Sequence, residues 1–216
     1  MAIKTLDLSQ YPRRDHFQYF QTLAYPYLGV TCEVDITDFY HFVKEKKLPM
    51  FLTLLWCASR AANDIPEFRY RIKDEQLVEV DFCDTSHTVA KDDDTYAYCV
   101  LKANMDLQSF LKIAIPKHEA SRTSGTIDED PEEAVSMIFI TTLPWLYFTE
   151  LTQPVPIPAD SNPRIAWGKF KEKDGRIMMP VNVLAHHSLV DGKHLAFFFD
   201  RFNKRMQDAI ESEVSL

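Results

Sequence analysis

The sequence has little of what marks several classes of protein. Only 5 of its 216 residues are glycine, and no Gly- or Ser-rich tract or long like-charge run indicates a linker or a disordered tail. The longest apolar run, near residues 51–58, is too short to span a bilayer, and residues 1–17 contain no apolar segment of signal-peptide length. We therefore expect no membrane association and a cytoplasmic location.

Positive charge and paired cysteines are scarce as well. The 24 Lys and Arg residues are outnumbered by 32 Asp and Glu residues, which gives a net charge of -8 and disfavours binding to a nucleic-acid backbone. The cysteines show no C-x-x-C spacing, so neither a zinc ribbon nor a disulfide framework is indicated. We expect buried free thiols at Cys32, Cys57, Cys83 and Cys99.

What is present is enough apolar sequence, 46% of the chain, to bury one sizeable core. We predict one domain over residues 1–216. Strand-like segments, including a predicted meander of adjacent strands over residues 68–102, alternate with amphipathic helices, the last starting near Asp191. This mixture predicts an α+β fold: a two-layer sandwich of a mixed, mainly antiparallel sheet with helices on one face.

The most informative stretch is VNVLAHHSLVDGKH at positions 181–194. A predicted strand ends at two histidines, and a turn through Asp191 starts a helix, so His187 would stand at a rigid strand end, a suitable place for a catalytic base. A satisfied core histidine is the competing interpretation. His186 and His187 point to opposite faces of a strand and cannot easily share an ion, so we predict no metal site.

Several motifs together resemble the chloramphenicol acetyltransferase family of CoA-dependent acyltransferases. The histidine stretch is similar to its H-H-x-x-x-D-G signature. Five further segments match family motifs in the same order, and they extend over nearly the whole chain: YPRRDHFQYF (11–20), EVDIT (33–37), PEFRYRIKDEQLVEVD (66–81), TLPW (142–145) and WGKF (167–170). The resemblance implies the fold of that family and acetyl transfer from acetyl-CoA, with no covalent acyl-enzyme.

The resemblance also implies roles for residues of the signature. His187 would be the general base that takes the proton of an acceptor hydroxyl as the oxygen attacks the thioester, and His186 would be structural. Asp191 would be a buried aspartate that forms a structural salt bridge with Arg13, or with Arg14 if the alignment shifts by one residue.

Other matched positions imply an oxyanion site and a CoA channel. Thr141 stands where the family has an oxyanion-stabilising serine, and the hydroxyl of Thr142 is the neighbouring candidate. The remaining matches would line the CoA channel, at Trp145, Lys169 and Phe170.

The acceptor pocket is where the resemblance weakens. An acidic loop at 124–134 replaces an aromatic segment of the family, and Ala166 replaces a threonine. An apolar wall is still expected from Tyr25, Tyr27, Leu28 and Phe139. We therefore predict acetylation of a chloramphenicol hydroxyl, as in antibiotic resistance, with weaker substrate binding. The alternatives are the same chemistry on another alcohol or amine, and a non-catalytic small-molecule binder. The resemblance further implies a homotrimer with active sites between subunits.

Overall fold

The structure, a computed structural model, describes residues 2–128, 130–212 and 214, so Glu129 of the acidic loop lies outside the described residues. Its helices are α1 (Arg14–Phe20), α2 (Thr37–Glu45), α3 (Met50–Asn63), α4 (Pro66–Arg69), α5 (Leu107–Ser124), α6 (Pro131–Ala134) and α7 (Gly192–Glu211). Its strands are β1 (Ile3–Thr5), β2 (Tyr27–Asp35), β3 (Tyr70–Lys73), β4 (Gln76–Val80), β5 (Asp84–Ala90), β6 (Tyr96–Leu101), β7 (Met137–Leu143), β8 (Arg164–Gly168), β9 (Lys171–Lys173) and β10 (Arg176–His186).

The large sheet confirms the predicted two-layer architecture. Its strand order is β2-β10-β8-β7-β5-β6, with β9 paired to β10. The β10 pairings and the β5–β6 pair are antiparallel, whereas β7 runs parallel to both β5 and β8. Helices α2, α3, α5 and α7 cover one face of the sheet, where a continuous apolar core lies between the two layers. In the described part of the chain, no helix is long and apolar enough to cross a membrane.

The predicted meander over residues 68–102 was wrong in one respect. Strands β3 and β4 form a separate small sheet with β1, and only β5 and β6 join the large sheet. Wholly buried Arg71 of β3 connects the two sheets, because its guanidinium donates to the carbonyls of Val135 and Met137 at the start of β7. A single guanidinium that satisfies several backbone carbonyls is a long-range contact that strand periodicity does not encode.

Candidate active site

His187 stands immediately after β10, as predicted, and its ring is fixed on two sides. Its Nδ1 lies 3.0 Å from the carbonyl oxygen of Val190, and its ring stacks on Phe20 with centroids 3.8 Å apart. A carbonyl can only accept, so Nδ1 carries the proton of the neutral ring and Nε2 keeps a free lone pair. The side chain is half-buried. This arrangement suits a proton acceptor that must hold one tautomer and one orientation.

Phe20 was not among the residues found from sequence. It ends α1, a helix that we did not predict, and the helix brings its ring against His187. An aromatic residue at the end of the YPRRDHFQYF motif was a signal. Its partner, however, is 167 positions away along the chain and follows only from the fold.

His186 lies on the opposite side of the strand end and is buried. Its Nδ1 accepts a hydrogen bond from the backbone N–H of Ser188 at 3.3 Å, and its ring meets Tyr27 edge-on. Burial lowers the pKa of His186 to about 4. The residue is therefore neutral near pH 7 and positioned to hold the turn, in keeping with the structural role that the motif implied.

Arg13, rather than exposed Arg14, contacts the turn that carries His187. Its guanidinium donates to the carbonyls of Leu189 at 2.6 Å and His187 at 3.3 Å, and lies 3.5 Å from the Asp191 carboxylate. The implied burial of Asp191 was wrong, because 49% of its side chain is exposed. The reason is that Asp191 caps the surface end of α7. The N–H of Gly192, helped by nearby Arg13, holds the pKa of its carboxyl below the usual value.

Thr141 and Thr142 present their hydroxyls on opposite faces of β7. The Thr142 hydroxyl donates to the carbonyl of Trp167 at 3.2 Å. The Thr141 hydroxyl lies 2.9 Å from that of Thr88 on β5, on the sheet face away from the helices. A hydroxyl has a single proton, and the proton of Thr142 is already donated to the Trp167 carbonyl. Thr141 is therefore the better candidate for an oxyanion donor.

A cleft of about 410 Å³ opens beside the ends of β7 and β8. Lys169 and Phe170 line it, together with Thr142 and Pro144, and neighbouring Trp145 is 73% exposed. Gly168 is required there, because a Cβ would approach the carbonyl oxygen of Leu146 to 2.6 Å. The cleft therefore combines a lysine with an aromatic ring, next to an exposed tryptophan.

The residues predicted for the acceptor wall do not all lie together. Tyr27 and Phe139 share a face of the sheet, and the Arg164 guanidinium stacks over both rings, 5.8 Å and 5.2 Å from their centroids. Leu28 was placed wrongly, because it packs against the core between sheet and helices. Half-exposed Tyr25 lies beside Tyr27, with ring centroids 5.2 Å apart.

Arg164 itself was missed from sequence. It is 7% exposed, donates two hydrogen bonds of 2.8 Å and 2.7 Å to Asp160, and shares its strand face with Ala166. Ala166 is wholly buried, so it offers no surface to an acceptor within this chain. The only sequence signal for Arg164 was its place in SNPRIA, the stretch that departs from the family pattern.

Thr141 and His187 do not meet within one chain. Thr141 pairs with Ala166, and Ala166 pairs with Asn182 on β10, five residues before His187. Two strand spacings of about 4.8 Å and five rises of about 3.3 Å put the two Cα atoms about 19 Å apart. The side chains of a threonine and a histidine are too short to span that distance together.

Stability should fall as the pH drops below 6.5. Burial lowers the pKa of His186 to about 4 and that of His87, whose Nε2 lies 2.9 Å from His118 Nδ1, to about 3. Both pKa values are lowered in the fold, so the unfolded chain binds more protons between pH 6.5 and 4, and unfolding becomes easier as pH falls. We expect a loss of up to about 1.4 kcal/mol per pH unit for each histidine.

Urea unfolding from pH 7 to 5 measures how the free energy of unfolding changes with pH. His186→Gln should remove the contribution of one histidine, up to about 1.4 kcal/mol per pH unit. A free energy of unfolding that stays constant from pH 6.5 to 5 would contradict the neutral buried state assigned to both histidines.

Among the residues that the structure describes, no group of three or more His, Cys, Asp or Glu side chains could hold a metal ion.

Comparison with known proteins adds independent information. The family model for chloramphenicol acetyltransferase matches residues 1–204. The chloramphenicol acetyltransferase of Bacillus pumilus is 29% identical over 186 residues, covering 85% of this chain and 84% of its own. Chloramphenicol acetyltransferase 2 of Haemophilus influenzae is 26% identical over 205 residues, covering 93% and 95%.

Solved structures agree with the sequence comparison. A chloramphenicol acetyltransferase superposes with a TM-score of 0.84 at 26% identity, covering 95% of this chain and all of its own. The dihydrolipoamide acetyltransferase of Azotobacter vinelandii, with a TM-score of 0.68 and 18% identity, covers 92% of this chain and 88% of its own, and it shows the shared fold. With the histidine at the strand end, the hydroxyl on β7 and these matches, the chain belongs to the chloramphenicol acetyltransferase family.

Proposed function

We propose that this protein transfers the acetyl group of acetyl-CoA to a hydroxyl of chloramphenicol, with His187 as the general base. The observation that carries the proposal is the hydrogen bond between His187 Nδ1 and the Val190 carbonyl, which leaves Nε2 unprotonated at the end of β10. Membership of the family supports the same reaction class. A non-catalytic binder would have no need of a base held in one tautomer.

The reaction proceeds in two steps, addition to the thioester and collapse of the tetrahedral intermediate. Nε2 of His187 takes the proton of the acceptor hydroxyl while its oxygen bonds to the thioester carbon, and the carbonyl oxygen becomes an oxyanion. The hydroxyl of Thr141 donates a hydrogen bond to that oxyanion. Collapse then breaks the carbon–sulfur bond, and the proton on Nε2 passes to the departing thiolate of CoA. No acyl-enzyme is formed, so His187 returns to its starting tautomer.

Acetyl-CoA is assigned to the cleft beside β7 and β8. Lys169 would attract a phosphate group, and the rings of Phe170 and Trp145 would cover apolar parts of the cofactor arm. Thr142 lines the same cleft, whereas the Thr141 hydroxyl lies on the opposite face of β7, so the acetyl end of the cofactor would have to pass the end of β7 to meet the oxyanion donor.

We further propose that the active unit is a homotrimer whose sites lie between subunits. The separation of about 19 Å between Thr141 and His187 in one chain supports this proposal, because both groups must touch the same tetrahedral centre. A second subunit that supplies one of the two groups satisfies that requirement. The number three rests on the resemblance to the family.

Transfer to another alcohol or to an amine is the second candidate function. Arg164 favours it, because the guanidinium occupies the space between Tyr27 and Phe139 that an aromatic acceptor would use. For chloramphenicol itself, missing wall contacts should raise KM more than they lower kcat, since such contacts are equal in ground and transition states.

Release of the CoA thiol from acetyl-CoA, measured with chloramphenicol and with a panel of alcohols and amines, tests the proposal. We expect chloramphenicol-dependent release with a KM above that of the Haemophilus influenzae relative assayed in parallel. No release with chloramphenicol but brisk release with another alcohol would replace the acceptor and retain the chemistry. No release with any acceptor would overturn the proposed function.

A further inference from the structure

Thr141 has a neighbouring hydroxyl that the reaction described above does not use. Thr88 lies on β5, one residue beyond His87, which pairs with Ile140 of β7, so Thr88 and Thr141 stand side by side on adjacent strands. Their Oγ1 atoms are 2.9 Å apart. Both residues are half-buried, whereas the residues on either side of Thr88, His87 and Val89, are buried on the helix side of the sheet.

We infer that Thr88 is a positioning residue for the oxyanion donor: its hydroxyl donates to Thr141 Oγ1 and so frees the Thr141 proton for the oxyanion. The inference rests on the proposed function. Each hydroxyl has one proton and two lone pairs, so Thr141 can accept from Thr88 and still donate elsewhere.

The direction of this hydrogen bond decides whether Thr141 can act. If Thr141 donated to Thr88, its proton would be unavailable, as is that of Thr142, which donates to the Trp167 carbonyl. A developing negative charge beside Thr141 favours the arrangement in which Thr88 donates to Thr141 and Thr141 donates to the oxyanion. The Thr88 hydroxyl, the Thr141 hydroxyl and the oxyanion then form a chain in which each hydrogen bond polarises the next, which strengthens the contact in the transition state.

The Thr88 bond also restricts the rotamer of Thr141. A hydroxyl that accepts from a fixed neighbour points its own proton into a narrow range of directions, which is the condition for a preorganised oxyanion donor. The neighbour is fixed because Thr88 is held in the sheet by β6 as well, where it pairs with Tyr98.

A double-mutant cycle in kcat tests the inference, with chloramphenicol and saturating acetyl-CoA as substrates. Thr88→Val keeps the side-chain shape and removes the donor. We expect it to lower kcat about five- to tenfold, the effect of one neutral hydrogen bond, with KM for both substrates unchanged. Thr141→Val should lower kcat about 100-fold. In the Thr141→Val background, Thr88→Val should change kcat by about twofold or less.

Thr88→Ser is the matched control, because it restores the hydroxyl and should recover most of the rate. Equal losses from Thr88→Val in both backgrounds would mean a general structural role and would overturn the inference, as would an unchanged kcat in the wild-type background. If wild-type protein is active and Thr141→Val is impaired, the proposed function stands whatever Thr88 does. Inactive wild-type protein would overturn both.

Discussion

Replacing His187 with alanine is expected to lower kcat by about 100-fold or more, which is the usual contribution of a positioned general base. The fold should survive, because the half-buried side chain lies at the end of β10 and its backbone N–H keeps its hydrogen bond to the Pro26 carbonyl. Steady-state thiol release and thermal unfolding, measured on the same preparation, give both quantities.

His187→Asn sharpens this test. The amide nitrogen of asparagine can donate to the Val190 carbonyl in place of Nδ1, so the variant keeps the turn contact while it lacks a base. We expect the same loss of kcat as for alanine, with a smaller loss of stability. A well-folded alanine variant that keeps most of its rate would rule out His187 as the base.

Replacing Arg13 with glutamine should lower kcat by about 10- to 100-fold, because a small displacement of a catalytic group costs that much. The guanidinium holds the carbonyls of both His187 and Leu189, and its side chain is only 17% exposed. Glutamine can reach at most one of these part-buried carbonyls, so the other loses its donor, at a cost of about 1–3 kcal/mol of stability. The ion pair with half-exposed Asp191 adds little.

Arg14→Gln is the matched control, because Arg14 is exposed at the start of α1 and should tolerate the change without loss of rate. Asp191→Asn separates the two kinds of contact. It keeps an oxygen that accepts from the Gly192 N–H and removes the charge, so we expect a much smaller effect than from Arg13→Gln. Equal loss from Asp191→Asn and Arg13→Gln would show that the ion pair, rather than the carbonyl contacts, positions the turn.

Local patterns in the sequence predicted much of the fold and part of the site. The predicted strand that ends at the two histidines and the predicted turn through Asp191 into a helix are both present, and the large sheet confirms the predicted architecture. The catalytic roles assigned to His187 and Thr141 stay predictions that the geometry supports.

The errors have identifiable physical causes. Tyr27 and Leu28 are neighbours in β2 and must face opposite sides of the sheet, so strand parity already argued against placing both in one wall. The stacking of Phe20 on His187, the Arg13 carbonyl contacts and the Arg71 link between sheets join residues far apart in sequence. Contacts of that kind depend on the packed fold and leave no periodic signal.

The most direct test of the account is to restore activity by mixing two inactive variants. His187→Asn and Thr141→Val chains, differently tagged, are unfolded together, refolded and isolated as mixed oligomers that carry both tags. If each site takes His187 from one subunit and Thr141 from the next, every mixed trimer contains one intact site in three, so the mixed oligomers should show about one third of the wild-type rate. Mixed oligomers no more active than the two parent variants would contradict a site shared between subunits.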